Sequence, residues 1–509
     1  MKETANASPL FQPDTSANRE LRANVAPEEW KNPTPEGRYN LVVVGAGSGG
    51  LVAAAGAAGL GARVALVEKH ALGGDCLNVG CVPSKSLLAS AKRAATCRRA
   101  GDYGVSVDGD VNVDFSAVME RMRELRAGIG PNDSAQRFKD LGVDVFLGEG
   151  RFKDKETLEV DGAELKFAKA VLATGARAIV LPIPGLAESG ALTNETLFSL
   201  TGLPKRLAVI GAGPIGCEMA QAFARFGSEV TLFEAECKVL QREDEDAARV
   251  VESSLKRDGV NIVCEAKLGK VEEADGVKTI HFEHGGENKQ QSFEHILVGV
   301  GRAPNVEGIG LENIGVEFDK RSGVKVDATL RTTNPRVYAV GDVAMPYKFT
   351  HMAGATARLV IQNALFMGRK KYTDLTVPWC TYTQPELAHV GLNQKEAREK
   401  YGDAAKTFVQ QFEEMDRSIL EGEKEGFVKV HAVKGRIVGA TIVGEHAGDL
   451  LSEITVAIQS GMKLGSLSAV IHPYPTIAEA IQRVGDAYNR SRFTPFLRKL
   501  FAKWLSWRR

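Results

Sequence analysis

The chain has 509 residues, of which 44% are hydrophobic and 25% charged, an ordinary balance for a globular protein of about two to four domains. Lys plus Arg and Asp plus Glu both number 64, so the composition gives no indication of a nucleic-acid partner. Seven scattered cysteines are too few for a disulfide framework, no apolar run is long enough to span a bilayer, and no signal-peptide pattern follows Met1. We therefore expect a cytoplasmic protein.

The first 38 residues form a polar segment. Five prolines punctuate it: Pro9, Pro13, Pro27, Pro33 and Pro35. Such a segment buries too little apolar surface to offset the entropy lost when it becomes ordered. We therefore predict that residues 1–38 form a disordered or loosely attached N-terminal arm.

A dinucleotide-binding pattern follows this segment. An apolar strand beginning at Tyr39 leads into a turn that contains Gly45, Gly47 and Gly50, and then into a helix of small residues. A second strand ends on the acid Glu68. The glycines let the backbone approach a pyrophosphate at the helix N-terminus, and the acid would accept hydrogen bonds from the adenosine ribose. Because strand, turn, helix and acid are all present, we predict a bound dinucleotide.

Two cysteines, Cys76 and Cys81, lie in the next stretch, which spans residues 73–85. In a regular helix this spacing separates the Cα atoms by about 8–9 Å, whereas a disulfide needs roughly 4.4–6.8 Å. Gly80 lets the backbone depart from helical geometry, and Pro83 suits a helix start. Cys81 would then lie at a helix entrance, where the dipole stabilises a thiolate. Two buried cysteines or half of a zinc site are the alternatives, but there is no second cysteine pair, so a redox disulfide is favoured.

The stretch Gly-Gly-Asp-Cys-Leu-Asn-Val-Gly-Cys-Val-Pro-Ser-Lys resembles the redox signature of the class I pyridine nucleotide-disulfide oxidoreductases, which include dihydrolipoamide dehydrogenase, glutathione reductase and mercuric reductase. The resemblance implies that electrons pass from a nicotinamide through FAD to Cys81. From there they would reach the acceptor through Cys76, the interchange thiol nearer solvent. It also implies that Lys85 pairs with Glu218 near the flavin.

The strand, turn and helix pattern returns in the middle of the chain. The strand Arg206–Ile210 leads into Gly211, Gly213 and Gly216, and a second strand ends on Glu234. Two such patterns indicate two bound nucleotides. In the family that the cysteine stretch resembles, the first glycine turn holds FAD and the second holds the nicotinamide cofactor.

Glu234 also bears on the choice of nicotinamide cofactor. A carboxylate at this strand end pairs with the 2′-OH of NAD and repels the 2′-phosphate of NADP. No arginine follows it directly, so NAD(H) is favoured. In the alternative, Arg242 or Lys238 folds back to take a phosphate, which leaves NADP(H) open.

Shorter stretches resemble further parts of the family's cofactor sites, and their order and separation support the match. The additional candidate cofactor-binding residues are Gly150, Thr174, Gly175, Gly301, Arg302, Asp342, Thr350 and Ala353. Asp342 would bind the ribityl chain of FAD, and Thr350 and Ala353 would lie in the flavin-contact turn that follows it. Thr174 and Gly175 would return the chain to the flavin domain.

The resemblance implies an α/β fold with two Rossmann-like dinucleotide-binding domains, for FAD and NAD, and a C-terminal α+β dimerisation domain. A homodimer follows from the last of these. The expected bounds are 39–185 with 305–376 for the FAD-binding domain, 186–304 for the NAD(P)-binding domain, 377–488 for the dimerisation domain and 489–509 for a basic tail.

The acceptor side departs from the best-known disulfide reductases, which carry His-Pro-Thr-x-x-Glu near the C-terminus. Here Tyr474 takes the position of that proton-shuttling histidine before Glu479, and His472 lies two residues earlier. A phenol with a pKa near 10 is a poor base at neutral pH. Mercuric reductases resemble this chain in having a tyrosine here, although they end in a cysteine pair and no cysteine follows Cys380. His472 would either reach the acceptor side of the active site from a shifted backbone or cap a turn.

The last twenty residues contain seven basic residues and no acids. Thr494 and Pro495 would start a helix whose apolar side chains cluster on one face, opposite most of the basic ones. This pattern is typical of a helix that lies on anionic lipid, and it predicts peripheral contact of residues 494–509 with the inner face of a membrane. Packing on the dimer surface is the alternative.

These observations predict an FAD-dependent NAD(P)H:disulfide oxidoreductase that uses Cys76 and Cys81 to reduce a disulfide or a soft metal ion. Tyr474 places it nearest the mercuric-reductase-like members. Dihydrolipoamide dehydrogenase activity is the alternative that Glu234 favours. A membrane-associated redox sensor with little turnover is a third hypothesis, motivated by the basic tail and the altered proton relay. No resident metal site is predicted.

Overall fold

The structure, a computed structural model, describes residues 9–509. The helices are, in chain order, α1 (Ser16–Val25), α2 (Ser48–Gly59), α3 (Gly74–Asn78), α4 (Cys81–Arg98), α5 (Phe115–Ile129), α6 (Ala135–Asp140), α7 (Asn194–Leu197), α8 (Pro214–Phe226), α9 (Glu245–Arg257), α10 (Thr350–Leu365), α11 (Gln394–Tyr401), α12 (Asp416–Leu420), α13 (Ala447–Gln459), α14 (Leu464–Leu467), α15 (Glu479–Ser491) and α16 (Pro495–Trp507).

The strands are, in chain order, β1 (Arg38–Val44), β2 (Val64–Glu68), β3 (Val143–Leu147), β4 (Gly150–Asp154), β5 (Thr157–Val160), β6 (Ala163–Leu172), β7 (Ala176–Ala178), β8 (Arg206–Ile210), β9 (Glu229–Phe233), β10 (Asn261–Val263), β11 (Lys267–Ala274), β12 (Val277–His284), β13 (Glu287–Phe293), β14 (His295–Val298), β15 (Arg302–Pro304), β16 (Phe318–Asp319), β17 (Gly323–Val324), β18 (Val337–Ala339), β19 (Pro378–Thr381), β20 (Glu386–Gly391), β21 (Ala405–Gln411), β22 (Phe427–Val433) and β23 (Arg436–Gly444).

The chain divides into two compact units. The first consists of the chain up to Ala212 together with Ala222–Ala235 and Asn261–Leu375, and the second of Gly213–Gln221, Glu236–Val260 and Thr376–Arg509. The finer bounds given above for separate FAD-binding and NAD(P)-binding domains stay predictions.

The largest sheet of the first unit has the strand order β3-β2-β1-β6-β5-β4, with β18 paired to β6. Its central strands β3, β2, β1, β6 and β18 are parallel, with Val43 of β1 opposite Leu66 of β2 and Val171 of β6. These three side chains are fully buried, as expected for strands that are covered on both faces. Parallel strands end at the same sheet edge, so the residues after β1, β2 and β18 are brought together there.

A second parallel sheet in the first unit has the order β10-β9-β8-β14. The second glycine turn follows β8, and Glu234 follows β9. An antiparallel sheet of β11, β12 and β13 contributes to the same core, in which Phe233 packs edge-on against Phe282 and Phe293 with ring centroids 5.0 and 6.0 Å away. The duplicated strand–turn–helix pattern therefore gives two separate parallel sheets.

The prediction of a disordered or loosely attached arm is wrong for the residues before β1 that the structure describes. Residues 15–25 form a capped helix, α1, in which Thr15 accepts a hydrogen bond from the Asn18 backbone and Leu21 and Val25 are fully buried. Further along, Trp30 Nε1 donates to Val145 O at 3.1 Å. The prolines lie outside α1, whose apolar residues recur at helical spacing. Residues 1–8 lie outside the described part of the chain.

The second unit contains an antiparallel sheet of order β19-β20-β23-β22-β21. Helices α13, α14 and α15 share its apolar core, to which Ile442, Ile454 and Ile481 contribute fully buried side chains. The sheet strands β22 and β23 and the helix α13 that follows them give this part of the chain the α+β character that the resemblance implies.

The C-terminal helix α16 starts as the sequence predicts, with Pro495 in its first turn and Thr494 Oγ1 accepting a hydrogen bond from Leu497 N at 3.3 Å. None of its residues is buried. Over residues 9–509, no helix has both the length and the apolarity needed to cross a membrane.

Candidate active site

A short turn between two helices separates the two cysteines. Cys76 is in the five-residue helix α3, and Cys81 is the first residue of α4. Gly80 joins the two helices where the chain folds back on itself. A Cβ added to Gly80 would lie 2.7 Å from Asp75 O and 3.4 Å from Cys76 Cα. The absence of a side chain at Gly80 therefore permits the close approach of the two cysteine-bearing segments.

The two thiols interact with each other and with two hydroxyls. Hydrogen bonding to Cys81, followed by burial, raises the pKa of the Cys76 thiol, whereas the Thr350 and Ser48 hydroxyls act in the opposite direction. Cys81 Sγ lies 3.3 Å from Thr350 Oγ1. Ser48, Cys81 and Thr350 are the first residues of α2, α4 and α10. Three helix N-termini therefore meet at the sulfur atoms, and their dipoles favour a thiolate on Cys81, the first residue of α4.

The two cysteines differ in burial. Cys76 lies within α3, is half-buried and contacts both Ser48 and Cys81, while Cys81 begins α4 and is exposed. The assignment of Cys76 as the interchange thiol and of Cys81 as the thiol next to the flavin stays a prediction.

The first glycine turn is built for a close backbone approach. Gly45 has φ +100°, and a Cβ on it would lie 2.3 Å from Ala173 O. A Cβ on Gly50 would lie 1.8 Å from Gly45 O, whereas one on Gly47 would meet nothing nearer than 3.8 Å. Gly47, the uncrowded glycine of the turn, is the N-cap of α2, so a ligand can approach the helix N-terminus there. Glu68 Oε2 accepts from Ala46 N at 2.7 Å, which places the carboxylate beside the turn. This geometry fits a dinucleotide.

A half-buried acid lies near the same sheet edge. Asp342 follows β18, and burial raises the pKa of its carboxyl group, an effect that Arg302 and Lys348 oppose. Arg302 Nε is 3.5 Å from Asp342 Oδ2, and the same guanidinium donates to Asp75, the neighbour of Cys76. Arg302 Nε is buried, and no acceptor among the residues that the structure describes forms a hydrogen bond with it. A half-buried carboxyl group and this N–H together suit a ligand with several hydroxyl groups, such as the ribityl chain of FAD.

The other candidate positions of the first unit differ in their surroundings. Thr174 Oγ1 donates to Asn305 O at 2.7 Å, and Gly175 has φ +69°. Gly301 has φ +125°, and an added Cβ there would meet nothing closer than 3.7 Å. Gly150 begins β4, and its added Cβ would lie 3.0 Å from Val67 Cγ1, so it contributes to core packing. Ala353, in the first turn of α10, is 9% exposed.

The second glycine turn repeats the arrangement of the first. Gly211 has φ +100°, and a Cβ on it would lie 2.8 Å from Gly299 O, whereas a Cβ on Gly213 would meet nothing within 4 Å. Glu234 Oε2 accepts from Ala212 N at 2.8 Å. Gly216, in the first turn of α8, is buried. This geometry also fits a dinucleotide.

Three further predicted residues have defined surroundings. Lys238 Nζ donates to Glu243 O at 3.4 Å, so its ammonium group has a backbone acceptor. Glu218 is 2% exposed, and its carboxylate accepts from Tyr382 N at 2.9 Å. Lys85 is half-buried on α4. The pairing of Lys85 with Glu218 stays a prediction.

On the acceptor side, His472 has a carboxylate partner that no sequence motif indicates. Its imidazole is 5% exposed, and Nε2 lies 3.1 Å from Glu453 Oε1. The other ring nitrogen, Nδ1, lies 3.1 Å from Val470 O. Glu453 lies on α13, whereas His472 lies in the loop between α14 and α15, and no pattern in the sequence linked the two residues.

Tyr474 and Glu479 also have separate partners. The Tyr474 hydroxyl donates to Asp416 Oδ2 at 2.7 Å, and this hydrogen bond raises the pKa of the phenol. Glu479 Oε1 accepts from Arg483 Nε at 3.0 Å and from Arg483 Nη2 at 2.8 Å. The glutamate is therefore engaged by a neighbour on its own helix. In the part of the chain that the structure describes, no group of three or more His, Cys, Asp or Glu is arranged to hold a metal ion.

Comparison with known proteins identifies the family of this chain. The family model for pyridine nucleotide-disulphide oxidoreductases matches residues 39–368, and that for the family's dimerisation domain matches residues 377–484. The chain belongs to this family.

Two curated relatives illustrate the match. A mercuric reductase from Bacillus cereus is 31% identical over 482 residues, which cover 94% of this chain and 76% of the relative. A dihydrolipoyl dehydrogenase from Bacillus subtilis is 36% identical over 460 residues, which cover 88% of this chain and 96% of the relative.

A solved structure has the same fold. The HOCl-induced flavoprotein disulfide reductase RclA from Escherichia coli aligns with a TM-score of 0.79 and 28% identity, covering 88% of this chain and 99% of that one. The predicted fold class, two Rossmann-like dinucleotide-binding domains and a dimerisation domain, is confirmed, as is the class of FAD-dependent disulfide oxidoreductases. The dimerisation domain supports a homodimer. The family uses FAD and a pyridine nucleotide.

Proposed function

We propose that this chain is an NADH-dependent flavoenzyme whose Cys76 and Cys81 form a redox disulfide that reduces a disulfide or a soft metal ion. The observation that carries the proposal is the contact between the two thiols at the meeting point of three helix N-termini. This position favours a thiolate on Cys81, and the hydrogen bond between the two thiols places them in direct contact.

The residues have distinct roles in this proposal. The first glycine turn, Glu68 and Asp342 would hold FAD, which when bound would supply two-electron transfer between a nicotinamide and the disulfide. With a disulfide acceptor, the Cys76 thiolate attacks one acceptor sulfur and expels the other as a thiolate. Cys81 then attacks Cys76 Sγ, which closes the Cys76–Cys81 bond and expels the second thiolate. The acceptor gains two electrons, the cysteine pair loses two, and the product thiolates take up protons from solvent according to their pKa.

The central experiment is an anaerobic titration of the FAD-loaded enzyme with NADH. One equivalent should expose two alkylatable thiols and produce a long-wavelength absorbance band, and Cys81→Ser should abolish the band while the protein retains FAD. The Cys97→Ser variant is the matched control, because Cys97 lies near the end of the same helix and is exposed. A wild-type enzyme that gains no thiols would overturn the proposal.

Glu234 supports the preference for NADH, since its carboxylate is fixed beside the second turn by Ala212 N. Lys238, the alternative phosphate ligand, already donates to a backbone carbonyl. The Glu234→Ala variant should lose most of the preference for NADH over NADPH in kcat/KM. A wild-type enzyme that prefers NADPH would contradict this part of the proposal.

Tyr474 supports a mercuric-reductase-like acceptor over a disulfide, because its phenol is a poor proton shuttle whose pKa Asp416 raises further. Dihydrolipoamide dehydrogenase is the second candidate, favoured by Glu234 and by several relatives with that activity at 33–36% identity. Steady-state oxidation of NADH with lipoamide, glutathione disulfide or Hg(II) separates the two. Lipoamide turnover at rates typical of a central metabolic enzyme would reverse the ranking.

We also propose that residues 494–509 bind the surface of an anionic membrane. Helix α16 leaves large apolar side chains exposed: Phe496, Leu500, Phe501, Trp504, Leu505 and Trp507. The chain after Asn489 carries seven basic residues and no acid, which is complementary to anionic lipid. Packing against a dimer partner and a low-turnover membrane-associated redox sensor remain the alternatives.

Co-sedimentation with phosphatidylserine vesicles tests this surface. Truncation before Thr494 should abolish binding, and phosphatidylcholine vesicles or high salt should weaken it. Equal lipid binding by the truncated enzyme would end the membrane proposal, and loss of dimer instead of lipid binding would favour packing at the dimer surface. Rapid multiple turnover with any acceptor would exclude the low-turnover sensor.

A further inference from the structure

A buried arginine lies next to the stretch that carries the two cysteines, residues 73–85, which we call the redox segment. Arg126 on α5 is 1% exposed, and its Nη1 donates to Asn78 O at 2.6 Å. Its Nη2 donates to Asn18 Oδ1 at 2.6 Å and to Leu10 O at 3.3 Å. Each of these acceptors is an uncharged oxygen. Within residues 9–509 no carboxylate forms an ion pair with this guanidinium, and burial lowers its pKa to about 10, so it stays charged at neutral pH.

The carbonyl that Arg126 holds belongs to the loop between the two cysteines. Asn78 is the last residue of α3, and it is 2% exposed. Its own amide Nδ2 donates to Leu72 O and to Gly74 O, both at 2.9 Å. Asn78 therefore fixes the loop on one side, and Arg126 fixes Asn78 on the other. A cation at the C-terminal end of α3 is also favourable for the helix dipole.

The other two acceptors come from a part of the chain that precedes the family match. Leu10 and Asn18 lie before residue 39, where that match begins. Asn18, on α1, is 1% exposed. The end of α1 also contacts the residue that directly precedes the redox segment, since Val25 O accepts from Leu72 N at 3.0 Å. We call Leu10, Asn18 and Arg126 the N-terminal clamp.

We propose that the N-terminal clamp positions the loop between Cys76 and Cys81 and that the unneutralised charge of Arg126 raises the reduction potential of this pair. The inference rests on the proposed redox role of the two cysteines. Reduction adds two electrons to the Cys76–Cys81 bond, and a nicotinamide supplies them in the enzyme. The product retains negative charge on any sulfur that does not take up a proton. A cation in a medium of low dielectric stabilises that charge and therefore the reduced form.

The potential is measured on the FAD-loaded enzyme equilibrated in buffers of reduced and oxidised dithiothreitol, with alkylation and mass analysis of the two cysteines. The Arg126→Met variant should lower the equilibrium constant for disulfide reduction about tenfold, which corresponds to a potential lower by about 30 mV. The matched control is Arg123→Met. Arg123 is buried on the same helix, but it donates to Leu200 O and pairs with Glu120. The equilibrium constant for disulfide reduction in Arg123→Met should stay within about twofold of the wild-type value.

A second variant, Asn18→Asp, distinguishes the effect of the Arg126 charge from the effect of Arg126 packing. It also replaces Arg126→Met as the test if that variant does not fold. The Asn18→Asp variant keeps an oxygen acceptor for Arg126 but neutralises the guanidinium. It should lower the equilibrium constant in the same direction. A wild-type value in Asn18→Asp, or a change in Arg123→Met as large as that in Arg126→Met, would overturn the electrostatic role of the clamp. A wild-type enzyme that forms no Cys76–Cys81 disulfide would overturn the proposed function, and the inference with it.

Discussion

The redox segment, residues 73–85, and the acceptor-side segment, residues 470–483, are organised in different ways. In the first, one glycine and the start of α4 bring the cysteines together within a few residues. In the second, His472 pairs with Glu453 and Tyr474 with Asp416, partners that are 19 and 58 positions away in the chain. The means of storing electrons is therefore encoded locally. The acceptor side depends on pairs that only the folded chain assembles.

The largest expected effect is loss of the cysteines. Cys76→Ser or Cys81→Ser should reduce turnover with every acceptor by a factor on the order of a thousand or more, because no second sulfur remains to close the disulfide. Cys97→Ser should retain wild-type turnover. Steady-state NADH oxidation measures all three variants. Substantial activity in either single cysteine variant would show that electrons leave by another route.

The next effect concerns the backbone that brings the cysteines together. Gly80→Ala places a Cβ 2.7 Å from Asp75 O, so the chain must move apart there. We expect the free energy of unfolding to fall by about 1–3 kcal/mol and the disulfide to close more slowly. Thiol alkylation over time measures the rate of closure.

Gly128→Ala on α5 is the control, since an added Cβ meets nothing within 4 Å there. It should be neutral or slightly stabilising, because alanine has the higher helix propensity. If Gly80→Ala closed its disulfide at the wild-type rate, the local account of the redox segment would be wrong.

A smaller effect tests the acceptor-side pairs. Tyr474→His alone should raise turnover with lipoamide less than threefold, as Glu479 is held by Arg483 and cannot orient the new imidazole. Adding Arg483→Met should free Glu479 and give a further gain of about tenfold or more. Arg483→Met by itself should give no gain. A full gain from Tyr474→His alone would show that the Glu479–Arg483 pair does not restrain the site.

The smallest effect is a pH dependence. The hydrogen bond to Asp416 raises the pKa of the Tyr474 phenol. This hydrogen bond therefore stabilises the folded protein below the ordinary phenol pKa near 10, and the stabilisation is lost as the pH rises through the raised pKa of Tyr474. Asp416→Asn should move the titration of this phenol to lower pH. Ultraviolet difference titration against Tyr474→Phe isolates its signal. An unchanged midpoint would mean that the pair does not form in solution.

Some parts of the structure followed from the sequence because their causes are local. The two glycine turns, the helix that starts at Cys81 and the cap at Thr494 each depend on residue type and spacing over a few positions. Helix α1 was missed, since the prolines around it outweighed its short apolar stripe. Glu453 and Asp416 were missed because nothing in the sequence links them to His472 and Tyr474.

By itself, the sequence determined the family, and it predicted the two dinucleotide turns and the redox sulfur pair, because glycine conformation, strand periodicity and cysteine spacing act over short stretches of chain. Only the tertiary structure decided which charges surround those elements. Arg126 meets Asn18 and Asn78 across separations of 108 and 48 positions. Such contacts arise from the packing of α1, α3 and α5, and the effect of a buried charge depends on which atoms that packing brings within a few ångströms.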